Sequence, residues 1–466
     1  MRSRILILGA LVFIGGCSFA PHYTRPEMPV PGNWPEGAAY RDALNTSGMK
    51  IPELRRDVFF ADPKLRKVID TALANNRDLR LAALNMERAQ ALYGVQRAEL
   101  FPAVNATGSG GKQRFSSDLI APGDPRTAEQ YSVNLGVASW EMDFFGRIRS
   151  LKDQALEEYL ATDEARRSVQ IGLVAEVARV YLTLAADREN LKLAQSTLTT
   201  QQSAYDLIHR QYAVGVASEL DLRQAQTQVD TAAVDAARYT QQAAQDHNAL
   251  NLLAGAPVPE YLLPVDLANV SPPKEIFPGL KSEVLLNRPD IVAAEHQLKG
   301  AYAFIGAARS AFFPRISLTT SIGTASNDLS GLFDAGTGTW SFAPQIAVPV
   351  FDARTWAAYR VSKAQREIAQ AQYEKAIQTA FGEVADSLAV RGTIDRQLAS
   401  QQSLTNAVAD ACRLSNQRYE KGIDSYLSVL DAQRTLYAAQ QGLISLRLVK
   451  LANQVRLYAV LGGGGE

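Results

Sequence analysis

Cysteine is nearly absent. Cys17 and Cys412 are the only two among 466 residues, so no disulfide framework can hold the fold. Histidine is almost as scarce: His22, His209, His247 and His296 are scattered, three of them in helical stretches, at no metal-ligand spacing, so no metal centre is expected. Net charge is missing too, with Lys+Arg and Asp+Glu at 48 each, and nothing selects nucleic acid or another polyanion as partner. No nucleophile sits in a recognisable motif. GSGG at Gly108 lies in strand-like or loop-like sequence rather than between a strand and a helix, so neither catalysis nor a phosphate cradle nor a cofactor is expected. Proline is missing between Pro125 and Pro257 and again after Pro349, which leaves two long stretches where nothing forces a helix to stop.

The N-terminus carries an address. Arg2 and Arg4 precede an apolar run from Ile5 to Ile14, and Gly15-Gly16 put small residues before Cys17. The run is too short to span a bilayer and reads as a signal peptide over residues 1–16. A cysteine directly after small residues is the acceptor pattern of a bacterial lipoprotein, so Cys17 is expected to take lipid and become the first mature residue. Ser18 follows where an aspartate would tend to retain a lipoprotein at the inner membrane, which favours the outer membrane. Cys412 then has no partner.

The rest of the chain is duplicated. RAELFPAVNATGS recurs as RSAFFPRISLTTS, pairing Phe101-Pro102 with Phe313-Pro314, and Asp78 pairs with Asp290 at the same spacing. Further on, QYAVGVASELD recurs as RYEKGIDSYLS, pairing Gly215 with Gly422. A spacing five residues shorter, shared with Glu176/Glu383 and Gly255/Gly462, fits shorter loops in the second copy. Each copy reads helix, two strands, then a very long helical stretch. The expected organisation is an extended arm over 17–63, a first repeat over 64–260, a linker over 261–281 and a second repeat over 282–466.

Helix formers dominate from Lys64 to Leu100. Of the strand-like segments that follow, Gln130–Trp140 is the cleaner: Tyr131, Val133, Leu135 and Val137 alternate with Ser132, Asn134, Gly136 and Ala138. Ile316–Thr324 and Trp340–Val348 repeat the pattern, and the loops are expected at Ser116–Ala128 and Asn327–Thr337. The polar members are small and uncharged, as on a wall with lipid outside and water inside. The long stretches carry a heptad seam through Leu173, Val177, Val180, Leu184, Leu191, Ala194, Leu198, Tyr205, Ile208 and Tyr212, the pattern of supercoiling helices. Asp187 and Gln201 occupy seam positions, so a wholly dry pair is not expected. A helix of about 60 residues is roughly 90 Å long. Gly215 and Gly422, each in a Tyr-x-x-Gly-x-x-Ser motif that includes Ser218 or Ser425, are expected hairpin tips.

Four amphipathic strands cannot close a membrane barrel, whose smallest forms use about eight, and an open sheet in lipid would leave edge N–H and C=O groups unsatisfied. Several copies must pool their strands: two, three and four copies are all open on this argument.

At this point the residues resemble a known family. CSFAPHYTRP from Cys17, NNRDLRLAALN from Asn75, WEMDFFGR from Trp140, RPDIVAAEHQL from Arg288, GAARSAFFPRISL from Gly306 and YEKAIQTAFGEVAD from Tyr373 are similar to the outer membrane factor (TolC-like) family, in its OprM-type lipoprotein branch. Relatives often carry Trp before the Phe-Phe of the arm, whereas here Arg56 precedes Phe59-Phe60. The resemblance implies a mainly α, internally duplicated homotrimer. A 12-stranded β-barrel in the outer membrane would continue into a 12-helix α-helical barrel with an equatorial domain. It implies the outer-membrane channel of a tripartite efflux pump, partnered by a periplasmic adaptor and an inner-membrane resistance-nodulation-division pump, and passing small molecules such as drugs. The alternative within the class is the outlet of a type I protein secretion system. By the same resemblance Leu427 is an apolar constriction and Asp431 an acidic ring at the periplasmic gate. Leu220 and Gln224 are the first-copy equivalents, and the tips at Gly215, Ser218, Gly422 and Ser425 meet the adaptor.

Overall fold

The computed structural model describes residues 19–41, 49–50, 55–277 and 281–463. The expected signal peptide and the lipid acceptor Cys17 lie outside them. The first copy is α1 (Pro63–Asn75), α2 (Arg77–Ala98), β1 (Val104–Arg114), β2 (Thr127–Glu141), α3 (Arg147–Ala213) and α4 (Glu219–Ala254). The second is α5 (Pro289–Ser310), β3 (Arg315–Ser326), β4 (Gly338–Ala347), α6 (Ala353–Glu420) and α7 (Tyr426–Val460). α3 and α6 run 67 and 68 residues without interruption, within the two proline-free stretches.

Two compact units are present. One gathers the described residues through Glu27 with Asn85–Asp163 and Ala293–Tyr373; the other holds the described parts of Met28–Leu84, Glu164–Val292 and Glu374–Glu466. The first contains the whole four-stranded sheet, ordered β1-β2-β3-β4 with every pair antiparallel. The start of the arm is pinned to this unit. Phe19 stacks on Phe313 at 4.4 Å, which in turn lies 5.1 Å from Phe145. The buried Glu295 carboxylate accepts from Tyr23 Oη (3.0 Å) and Arg25 Nη2 (2.7 Å).

The second unit shows where the duplication is structural. Helix formers from Lys64 onward read as one stretch, yet the helix breaks at Asn76, which adopts extended backbone (ψ 133°). The side chain explains the break: Asn76 Oδ1 caps α2 by accepting from Leu79 N (2.9 Å), and Nδ2 donates to the Leu253 carbonyl at the end of α4 (2.9 Å). In the second copy Arg288 stands at the equivalent break (ψ 134°) and donates from Nη1 to the equivalent carbonyl, Val460 (2.8 Å). Its other nitrogens reach Asp290 (2.6 Å) and Glu383 (3.0 Å). The turn after each carbonyl is a left-handed glycine, Gly255 (φ 66°) or Gly462 (φ 89°). Helix C-termini leave carbonyls unsatisfied, and each copy fills that need with a side chain from the start of its own repeat. Arg56, which precedes the Phe-Phe pair of the arm, pairs with Asp70 at 3.1 Å. Phe59 and Phe60 are fully buried, with Phe59 stacked on Tyr458 at 4.8 Å.

Of the seam residues, Leu173, Val177, Val180, Leu184, Ala194 and Ile208 are buried. Tyr212 is exposed, because α3 ends one residue later and the chain turns away. Gln201 is buried and donates to Gln433 Oε1 on α7 at 3.0 Å, so the seam is polar rather than purely apolar at that point.

Candidate functional site

The sheet has two chemically distinct faces. Cross-strand partners share a face. One face is the rows Ala106–Leu135–Ile322–Trp340 and Val104–Val137–Thr320–Phe342. The other is Thr107–Asn134–Gly323–Thr339, Ser109–Ser132–Ala325 and Asn105–Gly136–Ser321–Ser341. Hydroxyls on that second face bond laterally, Ser109 to Ser132 at 2.9 Å and Ser321 to Ser341 at 2.8 Å. Lateral bonds of this kind satisfy polar groups without a charge.

The sheet is built for close approach. A Cβ at Gly136 would collide with the Thr320 carbonyl and one at Gly323 with the Val133 carbonyl. Between Val137 and Trp140 the register shifts; Ser139 takes positive φ (51°) there, so the extra residue of a bulge keeps Trp140 on the apolar face opposite Leu318. Strands of 10 to 15 residues reach or exceed the roughly 9–11 needed to cross a bilayer at a tilt. Leu135, Ile322, Trp340 and Phe342 are exposed. An apolar face this open needs a non-aqueous neighbour.

The hairpin tips are built alike. Gly215 (φ 78°) donates to Tyr212 O at 2.9 Å while Val216 donates to Gln211 O at 2.8 Å; Gly422 (φ 70°) donates to Tyr419 O at 2.8 Å and Ile423 to Arg418 O at 2.9 Å. Both are Schellman turns, which require left-handed backbone and hence glycine. The restarts differ. Ser218 forms a full capping box with Asp221, whereas Ser425 makes no side-chain cap, and the second tip is instead braced by Arg418 Nη2 on Asp424 (3.1 Å).

Behind the tips Ile208, Leu222, Ala225, Tyr426, Val429 and Leu430 form a buried core joining both hairpins. Burial pushes the Tyr426 hydroxyl up to about 12. Higher up, Tyr437 Oη donates to Asp235 (3.1 Å) and Gln441 Nε2 to Tyr239 Oη (3.0 Å), tying α7 to α4.

Leu220 and Leu427 stand at equivalent positions just beyond the tips and are 65% and 56% exposed. Asp431 is exposed one turn past Leu427 and pairs with Arg434 at 2.6 Å. The i,i+3 spacing in Asp-x-x-Arg was the signal for that partner. The first-copy equivalent, Gln224, carries no charge. The capping roles of Asn76 and Arg288 leave no mark in the sequence, because their partners, Leu253 and Val460, are backbone carbonyls far along the chain.

The comparisons agree with this geometry. The sequence profile of the outer membrane efflux protein family matches residues 68–256 and 280–463. The antibiotic efflux pump outer membrane protein ArpC of Pseudomonas putida is 49% identical over 467 residues, covering 100% of this chain and 96% of its own. The solvent efflux pump outer membrane protein SrpC of Pseudomonas putida is 47% identical over 465 residues, covering 100% and 99%. Among solved structures, the open state of the Neisseria gonorrhoeae MtrE outer membrane channel superposes with a TM-score of 0.86 at 36% identity, covering 96% of this chain and 98% of that one. The fold is mostly helical with few strands, as in those channels, and the chain belongs to the outer membrane efflux protein family.

Proposed function

We propose that three copies of this chain form the outer-membrane channel of a tripartite efflux pump and pass small molecules from an inner-membrane resistance-nodulation-division pump and a periplasmic adaptor to the exterior. The observation that carries this is the two-faced sheet. It has one apolar face, one face whose central rows are small and uncharged, and outer strands β1 and β4 that each have one partner among the described residues. Three copies supply 12 strands, enough to close a barrel with a water-filled interior, and the long helices would continue it as a 12-helix barrel. Relatives named for a solvent and for antibiotics share nearly half their residues with this chain. That favours a conduit that leaves cargo choice to its pump over an outlet for secreted protein. Lipid on Cys17 would anchor each copy to the outer membrane.

The gate lies in the second tip. Three Leu427 side chains meeting near an axis would shed water, and three Asp431 carboxylates one turn away would favour cations. Each Asp431 also has Arg434 beside it, and an exposed pair of this kind contributes little stability, so the carboxylate is available to the lumen. The tips at Gly215, Ser218, Gly422 and Ser425 would meet the adaptor, with Leu220 beside them at the gate. Single-channel recording in planar bilayers tests the reading: Leu427→Ala with Asp431→Ala raises conductance. Unchanged conductance removes these residues from the gate, and the absence of any conductance in the unaltered protein removes the channel.

A further inference from the structure

Asp187, the acid on the heptad seam of α3, is not alone. Asp246 of α4 lies within hydrogen-bonding reach of it, and two carboxyls can bond to each other only with a proton between them. Asp246 Oδ2 is buried without a partner among the described residues, as are Asn190 Oδ1 on α3 and Gln242 Oε1 on α4. All three are acceptors. The charged groups that reach the pair are Arg179 and Arg238, and each is already engaged by its own helix, Arg179 with Glu176 (2.5 Å) and Arg238 with Asp235 (2.8 Å). Asp187 lines a groove with Asn190 of α3 and Gln242 of α4, and α7 closes it with Gln441, Gly442, Ile444, Ser445 and Leu448, none of them charged. Tyr239 lines it from α4, its hydroxyl held above its ordinary range by burial. Internal duplication supplies a control: Ile394 and Asn453 occupy the equivalent positions in α6 and α7, so the second hairpin has no such pair.

We infer that Asp187 and Asp246 form a proton-operated latch between the two arms of the first hairpin, closed when one proton is shared and loosened when both carboxyls are ionised. Burial, with the Asp187 charge adding to it, holds Asp246 up at about 6, and burial raises Asp187 as well. The folded chain therefore keeps a proton that an unfolded chain releases near pH 4. The resulting stabilisation is complete below the ordinary carboxylate range and is lost as pH rises through about 6. An acidic medium tightens α3 against α4, and a neutral one lets them part, in the first hairpin only. The inference stands whether or not the chain conducts.

Infrared difference spectroscopy on the purified full-length protein, titrated from about pH 5 to about pH 7.5, tests it. A protonated-carboxyl band is expected to disappear through about pH 6 in the unaltered protein and to be missing in Asp246→Asn. The thermal midpoint of the unaltered protein falls by several degrees over that range more than that of Asp246→Asn, whose amide donates to Asp187 at every pH. Asp187→Asn serves as the second variant if the first fails to fold. The latch is refuted if no carboxyl titrates near pH 6, if the band persists in Asp246→Asn, or if the variants keep the full pH dependence of the midpoint.

Discussion

A single carbon separates the two glycines that end the helical hairpins. Gly255 and Gly462 are equivalent by duplication and both take left-handed backbone, which costs about 1–2 kcal/mol for any L side chain. A Cβ at Gly255 would also run into the Asn75 carbonyl, whereas at Gly462 the nearest atom would be 3.7 Å away. Gly255→Ala is therefore expected to lower the thermal midpoint of the purified protein well below that of Gly462→Ala; equal losses would mean that backbone conformation alone governs both. Asn76→Ala removes two hydrogen bonds from a buried side chain and should cost about 2 kcal/mol at roughly 1 kcal/mol each, measured the same way. The pairing of Gly255 with Gly462 was legible in the spacing of the repeat, but their left-handed backbone was not. The role of Asn76 was not, because an asparagine among helix formers announces neither the break nor a carbonyl partner at Leu253. Asp187 was legible as a polar intrusion on an apolar seam. Asp246 was not, since no periodicity links it to Asp187 across two helices.

At the level of elements, the strands divide into those readable by alternation and one that is not. β2, β3 and β4 alternate apolar with small polar residues and fall close to their expected bounds. β1 carries Gly108 and Gly110 where apolar side chains would otherwise mark its face. The register supplies the reason at Gly110: a Cβ there would sit 2.8 Å from the Tyr131 ring, so the neighbour's aromatic covers the space. Face assignment makes a contrast that can be measured. Leu135→Lys places a charge on the apolar face and should cost about 2–4 kcal/mol in lipid, seen as loss of folded protein from the outer-membrane fraction. Ser132→Lys on the opposite face should leave that fraction intact and alter ion selectivity in bilayers. The reverse outcome would mean that the faces are assigned backwards.

For the whole molecule, the twofold repeat was visible in sequence down to single glycines, and it set the order helix, strands, hairpin in each half. The number of copies was not visible: four strands demand partners, but two, three and four copies satisfy that demand alike, and only family resemblance selects three. Lipid attachment at Cys17 is tested by growth with labelled palmitate. The unaltered chain should carry label and Cys17→Ser should not; label on both would place the acyl group elsewhere. The open borders of β1 and β4 have a consequence for inheritance. In the barrel proposed above, contacts that join one border to the opposite border of the next chain never finish until the circle shuts, so every participant is needed and none can be substituted. A defective version with one border blocked would still be recruited through its intact side and would ruin each assembly it entered. Co-expressed with the normal gene in equal amounts, it would leave about one in eight of the proposed three-copy assemblies free of defective chains, so such an allele would behave as dominant.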